Sequence, residues 1–291
     1  MTKGAVLIVG CGDVGSRLAA QLMDADWKVY GLRRSVDRLP KGVIGVPADL
    51  FNAQCPAQWP TEQIDYVVYS VAATEHDEAG YQAAYVQALT HTLSWLKQHN
   101  QQPKHLLFVS SSGVYVQQSG EWVDENSQAE ATRYSGRIML DAEQLALNSN
   151  IPASVVRLTG IYGPGREWLL GQVRKGYRVE RDPPLYGNRI HADDAGGLLA
   201  FLLEAHRQGK KLDDCYIGVD NEPAPLADVV DWLRGQLGVT QWSDEASVRR
   251  AGSVRRAGSK RCSNARARAL GWEPRYPSYR EGYLAILAGQ S

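Results

Sequence analysis

Short apolar, β-branched runs alternate with segments of helical periodicity through the first two thirds of the chain. The runs AVLIVG (5–10), KVYGL (28–32), VIGVPA (43–48), YVVYSVA (66–72), HLLFVSS (105–111) and ASVVRLT (153–159) read as strands. They are apolar on both faces, which suits parallel strands covered by helices on each side. Between them, Val14, Leu18 and Leu22 recur at helical spacing, and Val86, Leu89, Leu93 and Leu96 form a second apolar stripe. Alternation of this kind implies right-handed crossovers and an α/β fold built on a doubly wound parallel sheet.

After Gly163 the pattern changes. Gly, Pro and Arg cluster between Gly165 and Arg189 without strand alternation, which reads as a loop-rich segment beside a binding cleft. A helix follows from about Asp193 to His206, then a strand candidate CYIGV, a helix PLADVVDWLRGQLG and a final GYLAILAG. The expected division is a dinucleotide-binding core over 1–162 and a mostly substrate-binding portion over 163–291, with a further strand and helix returning to the core. The stretch Arg249–Arg268 is dense in Arg and Lys. It admits three readings: a solvated connector, which is favoured, a cleft wall for an anionic substrate, or a nucleic-acid patch.

Composition narrows the function classes. Hydrophobic residues make up 44% and charged residues 22%, with formal net charge zero, so nothing global points to nucleic acid. Cys11, Cys55, Cys215 and Cys262 are far apart and lack zinc-ligand spacing, so buried thiols in a reducing compartment are expected, and no metal site. No apolar stretch approaches the roughly 20 residues that span a bilayer, and the N-terminal run lacks a cleavage site. The expectation is a cytoplasmic protein with a small-molecule substrate and no membrane or nucleic-acid partner. Whether it pairs as a homodimer is left open.

Gly10, Gly12 and Gly15 form GxGxxG directly after an apolar strand and before an amphipathic helix. In that context the glycines permit a tight turn, backbone approach to a pyrophosphate, and helix packing on the strand. The anion would sit at the helix N-terminus, flanked by Asp13 and Val14. At the end of the second strand the chain reads GLRRS, with no carboxylate for a ribose 2′-hydroxyl. Arg33 and Arg34 would instead meet a 2′-phosphate, which favours NADP over NAD, although paired arginines at strand ends are often plain surface. Asp49 in VPADL could accept the adenine amino group, with Leu50 beside it. Val71, Ala72 and Ser110 complete the expected coenzyme wall at the strand ends.

The fifth strand ends in SSSGVY, placing Ser110, Ser111, Ser112 and Tyr115 at the edge where ligands bind such sheets. GCGDVG, VPADL, SSSGVY, VVRLTGIYGPGR and NRIHADDAGGLLAFL, in this order, resemble the atypical or extended short-chain dehydrogenase/reductase superfamily, in particular its NAD-dependent epimerase/dehydratase branch. The resemblance implies a Rossmann core, a nicotinamide coenzyme, and oxidoreductase or epimerase/dehydratase chemistry on a hydroxyl- or carbonyl-bearing small molecule, a sugar derivative among the candidates. It also implies that Ser111 is the active-site hydroxyl that binds the reacting oxygen. In that family a Tyr, with a Lys four residues later, moves the substrate proton.

Here the pattern departs. Tyr134 is followed four positions later by Ile138, and an alignment anchored on Glu143 puts Ser135 and Met139 at the two positions. Arg137 stands three residues after Tyr134, where a shared helix face would bring a guanidinium toward the phenol. The candidate catalytic set is therefore Ser111, Tyr134 and Arg137, with a surface tyrosine as the competing reading. A protein that binds the coenzyme without catalysis is the rival function. His191, Asp194 and Arg157 read as structural, with Asp193 or Asp194 expected to cap the helix that follows.

Overall fold

The computed structural model describes residues 2–243 and 259–289. The part of the basic stretch from Arg249 to Gly258 lies outside the described residues. The chain divides into two compact units that interleave along the sequence. Unit 1 comprises Met1–Val114, Ala129–Arg157 and Ala195–Tyr216; unit 2 comprises Tyr115–Gln128, Leu158–Asp194 and Ile217–Ser291.

A seven-stranded sheet is built from β1 (Ala5–Val9), β2 (Lys28–Arg33), β3 (Ile44–Pro47), β4 (Tyr66–Tyr69), β5 (His105–Ser111), β7 (Ala153–Leu158) and β11 (Cys215–Gly218), in the spatial order β11-β7-β5-β4-β1-β2-β3. The pairings from β3 through β5 are parallel. The order reverses at β1, which lies between β2 and β4, and the glycine turn opens at that switch point. β1 is buried along its whole length, with Val6, Leu7, Ile8 and Val9 at 0% exposure, as its unbroken apolar run demands.

The helices follow the predicted stripes. α1 (Asp13–Asp24) buries Val14, Gly15, Leu18, Ala19 and Leu22. The second stripe is not one uniform helix. A short α2 (Glu78–Tyr81) runs into a π turn, Gln82–Gln87, before α3 (Ala88–Gln98). α4 (Tyr134–Leu147) and α6 (Ala192–Arg207) complete the helical set of the sheet-bearing region.

Helix α4 is fixed inside unit 1 by a buried ion pair. The Glu143 carboxylate, 2% exposed, accepts from Arg157 Nε at 3.0 Å and Nη2 at 2.6 Å, and from the Ser110 hydroxyl at 2.5 Å. Arg157 is on β7 and Ser110 on β5, so one carboxylate joins a helix to two strands. A second polar knot lies at the opposite ends of the strands. His105 Nε2 meets Ser154 Oγ at 2.9 Å, the His105 and His206 rings are 4.7 Å apart, and Tyr66 Oη lies 3.3 Å from His206 Nδ1.

Unit 2 has its own core, in which Tyr162, Leu170, Val173, Val229, Val230, Leu233, Tyr279 and Tyr283 pack together. The segment read as loop contains α5 (Trp168–Arg174), whose Leu169, Leu170 and Val173 are buried. Gly165, Gly171 and Gly176 break the sequence signal so closely around it that no periodic stretch stands out. Short parallel ladders pair β6 (Glu121–Val123) with β13 (Lys260–Cys262), and β8 (Gly160–Tyr162) with β10 (Arg189–His191). The Lys260 amine is buried and donates to the Tyr115 carbonyl at 3.1 Å, and burial pulls its pKa down. The last helix begins at Tyr279, earlier than GYLAILAG indicates, because Ser278 and Glu281 form a capping box.

The expected cap of α6 is corrected. The helix starts at Ala192, and the Asp193 amide donates to His191 Nδ1 at 3.2 Å. The Asp194 carboxylate instead accepts from the backbone amides of Arg275 (2.7 Å) and Tyr276 (2.9 Å). Only tertiary folding brings those amides within reach of a carboxylate so distant in sequence.

Burial, with the adjacent His206 ring acting in the same direction, pushes the His105 imidazole down to about 4 from its ordinary 6.5. Below pH 6.5 the unfolded chain binds a proton there that the folded chain refuses. Stability is therefore full above that value and falls by up to about 3 kcal/mol as the pH drops toward 4. Urea unfolding at about pH 7 and about pH 4.5 should show this loss, and His105→Gln should remove most of it; an unchanged slope would refute the assignment. At the ion pair, Arg157→Met leaves a buried carboxylate without its cation and should cost about 3–5 kcal/mol, whereas the double variant with Glu143→Met should recover most of that loss.

Candidate functional site

The glycine turn is built by backbone contacts. The amides of Gly10 and Cys11 both donate to the Leu32 carbonyl, at 3.0 and 3.1 Å, tying the end of β1 to β2. Gly10 has φ +78°, and a Cβ there would stand 2.7 Å from Val71 Cα, so only glycine allows β1 to turn against the residues after β4. Gly12 is different. A Cβ on it would meet nothing nearer than the Gly10 carbonyl at 3.9 Å, so its backbone faces open space. Helix α1 begins at this residue without a side-chain cap. An open glycine face and an uncapped helix N-terminus are the features a dinucleotide pyrophosphate needs, and the residues present fit one.

The expected coenzyme residues all belong to unit 1. Asp13 is exposed and accepts from Arg17 Nε at 2.9 Å, while Val14 is buried beneath the helix. Arg33 does not drift in solvent. Its Nη1 donates to the Cys11 carbonyl at 3.0 Å, which lays the guanidinium across the glycine turn. Arg34 is exposed. Burial pushes the Cys11 thiol up, so it stays neutral beside that guanidinium. Asp49 is exposed and its carboxylate accepts from the Phe51 amide at 3.1 Å. Leu50 is buried, and its carbonyl lies 3.0 Å from His91 Nδ1 on α3, which holds this loop. Val71 is half-buried and Ala72 exposed.

Ser110 and Ser111 have opposite fates at the end of β5. Ser110 points inward to Glu143, and Ser111 is exposed, its hydroxyl accepting from the Gly113 amide at 3.1 Å. Strand alternation alone separates them. The first turn of α4 lies against the turn that follows, because a Cβ on Gly136 would stand 3.5 Å from the Gly113 carbonyl.

Tyr134 is the first residue of α4 and is half-buried. Its hydroxyl donates to the His76 carbonyl at 2.5 Å, and its ring meets Tyr81 edge to face at 5.7 Å. Arg137 is exposed and turns back along the chain, with Nη1 donating to the Thr132 carbonyl at 2.8 Å. The structure therefore brings Tyr134 to Tyr81 and His76, and directs Arg137 to another acceptor. Tyr81 and His76 escaped the sequence reading because they belong to a separate segment after β4, and no motif marks them. Glu143 was visible as a conspicuous glutamate, but its pairing with Ser110 and Arg157 needed the fold.

Among the described residues, no group of His, Cys, Asp and Glu could hold a metal ion, and no helix is long and apolar enough to cross a membrane. All four cysteines are free thiols.

Known proteins resemble this chain in sequence and fold. A structure from Methylobacillus flagellatus, assigned by name to the NAD-dependent epimerases/dehydratases, is 33% identical, covers 99% of each chain and superposes with a TM-score of 0.78. A conserved protein of unknown function from Silicibacter pomeroyi is 26% identical over 98% of this chain and 99% of its own, with a TM-score of 0.75. A 3-diazoavenalumate denitrifying reductase of a Streptomyces species is 29% identical over 163 residues, which are 50% of this chain. The match spans about half the length of that relative, 51%. Residues 6–218, from the first strand to the last strand of the sheet, match the NAD dependent epimerase/dehydratase family, and the chain belongs to that family.

Proposed function

We propose that the protein is an NADP(H)-dependent oxidoreductase or epimerase/dehydratase that acts at a carbon bearing a hydroxyl or carbonyl group. The observation that carries the coenzyme preference is the Arg33 guanidinium held across the glycine turn by the Cys11 carbonyl. A planar guanidinium already oriented there suits a 2′-phosphate, and the strand end GLRRS carries no carboxylate for a ribose hydroxyl pair. Family membership and the similarity to a reductase support the reaction class.

When bound, the nicotinamide supplies or accepts the hydride. The chain's own residues hold and orient. Gly12 and the start of α1 cradle the pyrophosphate, and Ser111 offers an exposed hydroxyl to the substrate oxygen. The Tyr134 phenol oxygen can accept a hydrogen bond from a substrate hydroxyl while its own proton rests on the His76 carbonyl. To donate to a substrate carbonyl it must leave that acceptor.

A second reading has an observation in its favour. The Tyr134 hydroxyl donates to the His76 carbonyl and the Arg137 guanidinium to the Thr132 carbonyl, so the two side chains serve separate backbone acceptors, which also suits a protein that binds the coenzyme without turnover. The two readings separate on a panel of carbonyl compounds and sugar nucleotides. Turnover abolished by Ser111→Ala or Tyr134→Phe supports the enzyme, whereas unchanged coenzyme binding with no turnover supports the sensor.

Fluorescence titration should show NADPH bound more tightly than NADH. Arg33→Ala should weaken NADPH by about 10–100-fold, the worth of a charge-assisted hydrogen bond, and leave NADH within about threefold. Gly10→Ala should abolish binding of both. A parent protein that binds neither coenzyme ends this proposal.

A further inference from the structure

The rim of unit 1 around Tyr134 carries more aromatic surface than coenzyme binding requires. Tyr81 meets Tyr134 edge to face, with centroids 5.7 Å apart and planes at 89°, and meets Tyr85 at 5.3 Å and 52°. This cluster stands at the carboxyl ends of β4 and β5, the end at which such sheets bind ligands, and α4 packs on both the π turn and the turn after Ser111.

The π turn bears on how the cluster is built. Gln82–Gln87 winds with one extra residue per turn, so the positions before it are offset from the apolar stripe of α3. α3 keeps Leu89, Trp95 and Leu96 in the core while Tyr81 and Tyr85 pair at the strand ends. The turn is pinned from beneath by the Tyr69 hydroxyl, which donates to the Ala84 carbonyl at 2.5 Å.

Hydrogen-bond accounting then indicates what the cluster can recognise. The Tyr134 hydroxyl is committed to the His76 carbonyl, and the Tyr85 hydroxyl accepts from the Ala73 amide at 3.4 Å. Burial pushes both the Tyr81 and Tyr85 phenols up, so neither offers an anion. What the half-buried Tyr81 and Tyr134 offer a ligand is mainly ring surface, with the Tyr81 hydroxyl and the acceptor side of the Tyr134 oxygen beside it, fewer polar groups than a sugar hydroxyl array demands. An edge-to-face pair is open to a third ring in the same packing.

We propose that Tyr81 and Tyr134, backed by the buried Tyr85, form the substrate wall, and that the substrate is a planar aryl compound carrying its alcohol or carbonyl next to the ring. This rests on the reaction class proposed above and names its substrate. Ser111, on the neighbouring strand end, would take the oxygen.

The test compares benzyl alcohol with cyclohexylmethanol, which have the same skeleton with and without a planar ring, by saturation-transfer NMR titration of the NADP⁺-loaded protein, with UDP-glucose as a competitor. Benzyl alcohol is expected to bind about tenfold more tightly than its saturated counterpart. Tyr81→Leu should erase the preference, and Tyr85→Phe, which keeps the ring, should retain it. Should Tyr81→Leu fail to fold, Tyr134→Leu makes the same test on a half-buried ring. Equal binding of the two alcohols, a preference that survives both leucine variants, or displacement of benzyl alcohol by UDP-glucose with no ring preference overturns the proposal. NADP⁺ failing to bind the parent overturns the coenzyme reading instead, and the alcohol pair is then decided on the coenzyme-free protein.

Discussion

The buried Glu143 carboxylate organises the end of unit 1 that carries Ser111 and the first turn of α4. A carboxylate at 2% exposure is tolerable only when it is paired and hydrogen-bonded, and Arg157 Nε, Arg157 Nη2 and the Ser110 hydroxyl supply those bonds. The donors come from two strands, Arg157 on β7 and Ser110 on β5, so the helix that bears Tyr134 cannot slide without leaving a charge unpaired. Ser110 must then face inward. Its neighbour Ser111 faces outward as a consequence of strand alternation, and the exposed hydroxyl follows from the buried one.

The coenzyme end depends on a steric constraint rather than a charge. Gly10 turns with positive φ against Val71, and the space a side chain would need is already filled by backbone. That contact leaves Gly12 facing open space at the start of an uncapped helix. Arg33 then closes over the turn through the Cys11 carbonyl. A backbone hydrogen bond thus positions the side chain on which the proposed choice of coenzyme rests, and a lysine, lacking the planar fork, would not be held the same way.

Between these ends lies the first turn of α4. The phenol at the start of α4 is bonded to a backbone carbonyl and packed against Tyr81. The guanidinium three residues on serves the backbone before the helix. The surroundings of this phenol are thus a backbone acceptor and aromatic rings, which offer more ring surface than charge.

Much of the fold was legible in the linear pattern. The strand runs from 5–10 to 153–159 became strands within a few residues, because apolar runs on both faces have no stable place except inside a covered parallel sheet. The glycine turn was equally plain, since GxGxxG stands between an apolar strand and an amphipathic helix, and at Gly10 no other residue fits the turn. Asp194 and α5 were not legible. The carboxylate caps amides near Arg275 and Tyr276, and the helix hides among glycines. Nor was the wall around Tyr134, whose ring neighbour and hydrogen-bond acceptor come from the segment after β4. Local sequence determines which segments become strands and helices, because periodicity acts over neighbouring residues. Which acceptor a phenol or guanidinium reaches is a choice among partners distant in sequence, and only tertiary structure makes it.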